Sequence, residues 1–335
     1  ADGWTADSPN APARAMVLVD APSPHDSSVH LRGNAANLGP MVPRHFLTVL
    51  SRGSPQPLTE GSGRLQLARA IANRDNPLTA RVWVNRVWLH HFGKGIVRTP
   101  SDFGTRCDPP THPELLDWLA LRFMNDGWSL KKLHRLILLS ATYQQSSFDN
   151  AVAQNVDPDN LLLWRMNRQR LDFESTRDSL LAVVGELDET RGGRAGNLAD
   201  AAYRRRTIYG AIDRQNLPPV FRAFDFASPD ATSPQRFTTT TPQQALYFMN
   251  SPFVMRQAQA LAARPDVKDA DPKARIAQLY RMLFAREATP EEISAGLKYL
   301  KTEAALTATK RATQVSPWEK YAQVLLESNE FVFID

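Results

Sequence analysis

The sequence predicts a mainly α fold, a multi-helix globular domain with a small β element near the N-terminus and another around 204–210. Two observations carry that prediction. Thr241-Pro-Gln-Gln244, Thr289-Pro-Glu-Glu292 and Ser316-Pro-Trp-Glu319 each set a hydroxyl at N-cap, Pro at N1 and Glu or Gln at N3. In this capping box the hydroxyl accepts an orphan N–H and the N3 side chain reaches back to the cap. Behind such starts the apolar residues recur at helical spacing, as in Ile276, Leu279, Tyr280, Leu283 and Phe284, so each helix has one stripe to bury.

Residues 1–63 are rich in Pro, Ser, Gly and Asn and have little helical periodicity. Within them Ala15 to Asp20 reads as a short strand and Ser28 to Arg32 as its partner, with loop chemistry between. A Gly- and Pro-rich connector then leads into a helical region over 64–335, with a subdivision near 190–240. Helices are expected near 64–74, 77–92, 112–126, 129–143, 168–186, 242–263, 272–285, 290–304 and 316–329. Thr111-His-Pro-Glu114 reads as a further capping box, and Asn76-Pro77 and Asp271-Pro272 as simpler starts. Arg204 to Gly210 is the strand candidate of the second half. Arg191 to Gly196 reads as a mobile loop.

At 335 residues, 42% hydrophobic and 22% charged, the chain has the balance of a globular protein. It has no apolar run of about 18 residues, so no membrane span is expected. It opens Ala1-Asp2-Gly3-Trp4 without an initiator Met and reads as a processed piece. Cys107 is the single cysteine; it allows no intrachain disulfide and no Cys-x-x-Cys-His haem attachment, so no cofactor is expected in this chain. Of the 40 basic residues 31 are Arg, and the net charge is +5. A GC-rich genome would give that bias, as would guanidinium forks held on carboxylates or anionic ligands. No nucleic-acid motif accompanies the charge, and nucleic acid is not expected as a partner. Gly-x-Ser-x-Gly, Walker and dinucleotide patterns are absent.

Three clusters have chemistry-bearing residues. The loop from Thr99 contains Asp102, His112 and Glu114, types suited to acid–base work; the structural alternative gives Glu114 to a cap and Asp102 to an Asx-turn. Arg165, Arg168, Arg170, Asp172, Glu174, Arg177 and Asp178 form a mixed-sign set, with Arg170 and Glu174 spaced to pair along a helix. They read either as a salt-bridge network against the 204–210 strand or as a lining for an anionic ligand. Third come Arg204 to Arg206, with Ser233, Arg236 and Thr238 to Thr241, hydroxyls and N–H groups placed for an oxyanion cup. Arg86, Arg170, Arg177 and Arg236 are the candidate ligand-binding residues. All seven His precede residue 135, without HExxH spacing, and no metal site is expected. Trp83, Trp88, Trp118, Trp128 and Trp164 read mainly as core.

Several landmarks recur as a set: Asn76 to Arg81, Val84-Asn-Arg-Val-Trp88, His91-Phe-Gly93, Thr99 to Gly104, His112 to Leu119, Gly127 to Lys131 and Leu139 to Tyr143. Asp157 to Asn160, Arg170 to Glu174, Gln243 to Leu246 and Asn329-Glu-Phe331 follow in order. This succession resembles the uncharacterised C-terminal domain of planctomycete and verrucomicrobial proteins associated with cytochrome c modules, the planctomycete PSD domain. The resemblance implies an exported, periplasmic or cell-surface parent with haem c in upstream modules, and a cytochrome c module as partner in cis or in trans. It transfers no reaction and no catalytic residues. Three roles are therefore open: a scaffold or binding module, with acidic polysaccharide as a ligand; a carbohydrate-active enzyme domain; and electron-transfer support.

Overall fold

The computed structural model describes residues 17–51, 53–309 and 315–334. Helices dominate them. In the N-terminal part α1 spans Arg64–Ile71, α2 Thr79–Phe92, α3 Pro113–Asn125, α4 Leu130–Leu138 and α5 Ala151–Val156. The second part holds α6 Phe173–Val183, α7 Pro219–Ala223, α8 Pro242–Asn250, α9 Pro252–Ala263 and α10 Pro265–Lys268. It closes with α11 Pro272–Phe284, α12 Pro290–Thr309, α13 Pro317–Leu326 and α14 Asn329–Val332. Two antiparallel strand pairs complete it: β1 Ser27–His30 with β2 Leu38–Val42, and β3 Gln169–Arg170 with β4 Phe333–Ile334.

Helix starts fall where the caps put them. Ser316 accepts the Glu319 N–H while Glu319 accepts the Ser316 N–H, and Thr289 and Glu292 do the same. Asp271 caps α11 and Ser129 caps α4. The expected box at Thr111 does not form. Thr111 turns to the Ile96 carbonyl, His112 takes the N-cap position without a side-chain cap bond, and Pro113 becomes the first helical residue. The helix expected over 242–263 is two helices. Pro252 disfavours helical backbone at Ser251, which takes the N-cap position of the second helix at ψ 126° without a side-chain cap bond.

The β expectations shift more. Ala15 and Met16 lie outside the described residues; Val17 to Asp20 are exposed and form no strand. Ser27–His30 pairs instead with Leu38–Val42. Residues 204–210 are not a strand either. Arg205 makes one bridge to Asp188, Gly210 one to Gly196, and Thr207–Tyr209 is a 3-10 turn. The 191–196 segment, expected as a mobile loop, is exposed up to Ala195 and has contacts to Arg205. Thr190, Gly192 and Arg194 each turn a carbonyl onto the Arg205 guanidinium, which lies 4.4 Å from the Tyr209 ring.

Two hydrophobic cores organise the described residues. Val84, Trp88, Phe92, Leu119, Phe123 and Ile137 centre the first, among α2, α3 and α4. Phe173, Leu180, Val254, Leu261, Ile276 and Leu326 centre the second, among α6, α9, α11 and α13. Asn85 locks the first core. Fully buried, it donates to the Val97 carbonyl at 2.9 Å and accepts the Val97 N–H at 2.8 Å, as a strand partner would. The short stretch before α6 clips the cores together: Asn167 donates to the Phe92 carbonyl and Gln169 to that of His91, both at 2.9 Å. These carbonyls belong to the last turn of α2, where helical partners run out. Trp88 is buried as expected, whereas Trp83 and Trp118 stand about half exposed.

Candidate functional site

Helix α6 positions an open concavity. Asp172 caps it by accepting the Ser175 N–H at 2.7 Å. Along the helix, Asp172, Ser175, Ser179 and Ala182 follow one another at helical spacing on the floor of an open cleft of about 740 Å³. One wall holds Asp178, Arg206 and Thr207, the other Glu174, Arg236 and Phe226. Leu187, Ile208, Ile212 and Phe221 make its apolar part.

The polar walls are tightly bonded. Arg236 grips both Glu174 oxygens at 2.8 Å in a fork and stacks over Phe226 at 4.4 Å. The hydrogen bond to Glu174 raises the Arg236 pKa above its ordinary value, so its charge is fixed. Asp178 accepts both the N–H and the hydroxyl of Thr207 at 2.7 Å, and its other oxygen lies 3.6 Å from Arg206. The second and third sequence clusters therefore meet here, through residues far apart in the chain.

Arg177 lies behind this wall rather than in the cleft. It is 2% exposed and donates to the carbonyls of Tyr203 and Arg205 and to the Thr207 hydroxyl. Burial lowers its pKa, with Asp178 opposing. Arg170, on β3, donates to the Thr239 carbonyl and to Gln244 Oε1 rather than pairing with Glu174. Gln244 is itself buried and donates to the Ala223 carbonyl, so the α8 start is a junction as well as a cap. The expected oxyanion cup already contains an acid: Thr239 gives its N–H and hydroxyl to the Asp225 carboxylate. Of the triple Arg, Arg204 faces Glu186 at 3.0 Å, Arg205 fills the carbonyl cage and Arg206 faces Asp178.

The first cluster sits elsewhere. Asp102 is exposed and accepts the Gly104 N–H at 2.8 Å, an Asx-turn. Half-buried His112 contacts the Thr111 hydroxyl at 2.9 Å, and Glu114 is exposed in the first turn of α3. None of the three lines the α6 cleft. Arg86 is exposed on α2. Cys107, half-buried, donates its thiol to the Gly104 carbonyl and packs against the first core.

Sequence reasoning missed a histidine pair. His91 Nε2 on α2 and His134 Nδ1 on α4 are 2.8 Å apart, with the Tyr143 ring edge-on to His91. Burial, then His134 and His90, lower the His91 pKa. No group of three or more metal-ligating side chains occurs among the described residues. Nor, among them, is any helix long and apolar enough to cross a membrane.

Fold and site together define a mainly helical domain with a pre-bonded, mixed-charge cleft on one helix face. The family model PSD1, described as a protein of unknown function (DUF1553), matches residues 63–300. The chain belongs to that family. No curated protein and no solved structure matches it.

Proposed function

We propose that this domain is a binding module, with the α6 cleft as its recognition surface, in an exported polypeptide that works with c-type cytochrome modules. One observation supports the module reading above others: Glu174 and Asp178, two of the four carboxylates that line the cleft, are bonded before any ligand arrives. Both Glu174 oxygens are held by Arg236, and Asp178 is held by Thr207 and Arg206. Acid–base catalysis requires a group free to take or give a proton at the substrate, whereas these carboxylates offer a ligand fixed acceptors. A preorganised site of this kind spends little conformational entropy on binding.

The Arg usage fits the same reading. Guanidiniums are committed to carboxylates or carbonyls at Arg44, Arg81, Arg177, Arg205, Arg236 and Arg286. An acidic polysaccharide would therefore bind away from the cleft, on the basic remainder of the surface. The cytochrome partner, the haem of upstream modules and the periplasmic or cell-surface setting rest on the resemblance to planctomycete PSD domains.

Biolayer interferometry of the immobilised domain against neutral and sulfated oligosaccharides, short peptides and a soluble c-type cytochrome tests this, with chromatography of each mixture for products. Expected are saturable binding that Ser175→Trp abolishes, and unchanged ligands. Turnover lost in Ser175→Trp would overturn the module reading, and binding indifferent to that substitution would remove the cleft from it.

A further inference from the structure

We infer that the α6 cleft takes an extended polypeptide segment alternating basic and aliphatic residues, because its lining sets four carboxylates among exposed aliphatic side chains; this rests on the binding-module reading and names the ligand.

Charge comes first. Asp172, Glu174, Asp178 and Glu189 line the cleft against only Arg206 and Arg236, although the whole chain is +5. A local reversal of sign in a concave surface draws cations to that spot while the rest of the surface repels them. The cleft's cations offer an anion little: Arg236 is forked on Glu174 and covers Phe226, and exposed Arg206 lies 3.6 Å from the Asp178 carboxylate. The start of α6, where orphan N–H groups would attract an anion, carries its own carboxylate in Asp172. Asp172 and Glu189 are exposed and accept from whatever enters.

The apolar part separates peptide from sugar. Ile208 is 71% exposed and Ile212 41%, beside Leu187 and Phe221. A saccharide carries no aliphatic side chain to set against Ile208 and Ile212. A chain that alternates its side chains offers ammonium groups to the carboxylates and aliphatic groups to Ile208 and Ile212. Length agrees with this. From Asp172 to Ala182 the helix rises about 15 Å, which four or five residues of extended chain span at about 3.3 Å each.

The experiment is fluorescence anisotropy with three end-blocked, labelled pentapeptides that alternate Leu with Lys, Gln or Glu. A neutral oligosaccharide series and circular dichroism of every variant run alongside. The Lys peptide should bind saturably, about tenfold or more tighter than the Gln peptide and more weakly as salt rises; the Glu peptide should not saturate. Glu189→Lys and Ser175→Trp, both at exposed positions, should each weaken the Lys peptide about tenfold. Equal or tighter binding of the Glu peptide overturns the charge argument. Saccharide binding lost in Ser175→Trp, with all peptides silent, overturns the ligand class and leaves the binding module standing. No probe sensitive to Ser175→Trp overturns both.

Discussion

Replacing Arg177 with Met asks which wins at a buried cation: the cost of drying it, or the bonds it makes. The side chain is 2% exposed and spans three acceptors, the carbonyls of Tyr203 and Arg205 and the hydroxyl of Thr207. Its guanidinium also lies 4.9 Å from the Phe253 ring and 5.4 Å from that of Tyr203. Met has a similar reach and no donors. Each acceptor left dry costs about 1–3 kcal/mol, or roughly 5 kcal/mol for the three. Relief of guanidinium desolvation returns several kcal/mol, and the lost cation–π contacts take back about 1–2 kcal/mol. The net expectation is destabilisation by about 2–4 kcal/mol. Urea denaturation followed by Trp fluorescence measures it, and hydrogen exchange should show lost protection centred on residues 203–207. Arg177→Lys, one nitrogen for three acceptors, should fall between. A Met variant as stable as the parent would refute the reasoning, because desolvation would then outweigh the bonds, as happens for some buried ion pairs.

His91 has its pKa lowered by burial and His134, so the folded state binds fewer protons than the unfolded one. Stability should hold above about pH 7.5 and fall as pH drops through about 6.5; a parent slope unchanged in His91→Gln denaturation curves would exclude the pair as its source. Glu292 is held at about 2 by Arg286 and the α12 cap, from 4.5. Its contribution is complete above pH 5 or so and lost as pH falls toward 2, by about 1–2 kcal/mol after discounting for solvent screening; Glu292→Gln should flatten acid unfolding there. Asn85→Ala strands the buried N–H and carbonyl of Val97, with an expected loss of about 3–5 kcal/mol, read as a shift in urea midpoint.

Helix starts were legible because a cap is a local device: Ser316, Pro317 and Glu319 satisfy one another whatever lies beyond. The break at Ser251 had the same local sign, Ser before Pro, and only the continuous apolar pattern across it hid the boundary. The acidic side of α6 was legible as well, since Asp172, Glu174 and Asp178 belong to the mixed-sign set, although the helix expected from 168 begins at Phe173 behind its Asp172 cap. The cleft's far wall was not, because Arg236 lies 62 residues from Glu174 and nothing local couples them. Arg177 was unreadable for a different reason. Its partners are mostly backbone carbonyls, which every residue has, so no residue type marks them. The same holds for Arg205 and its loop. The 204–210 segment looked like a strand from its branched and aromatic residues; the three Arg side chains hold it in place instead, each by a separate anchor.

The seam between β3 and β4 bears on the order of synthesis. Leu171 donates to the Val332 carbonyl beside that pair, and Phe331 and Val332 are buried in the second core. The buried residues of the first core, Ala80 to Ile137, and those packed on them as far as Met166 are made well before Phe331. The helices of the first core are thus free to close while the second waits for its last turn, and chains of this size commonly fold in that N-terminal-first sequence. Helix α6 itself waits for the 207–209 turn and for α9, on which it packs. A nascent chain halted before Pro252 would present the apolar face of α6 to whatever chaperone attends its passage.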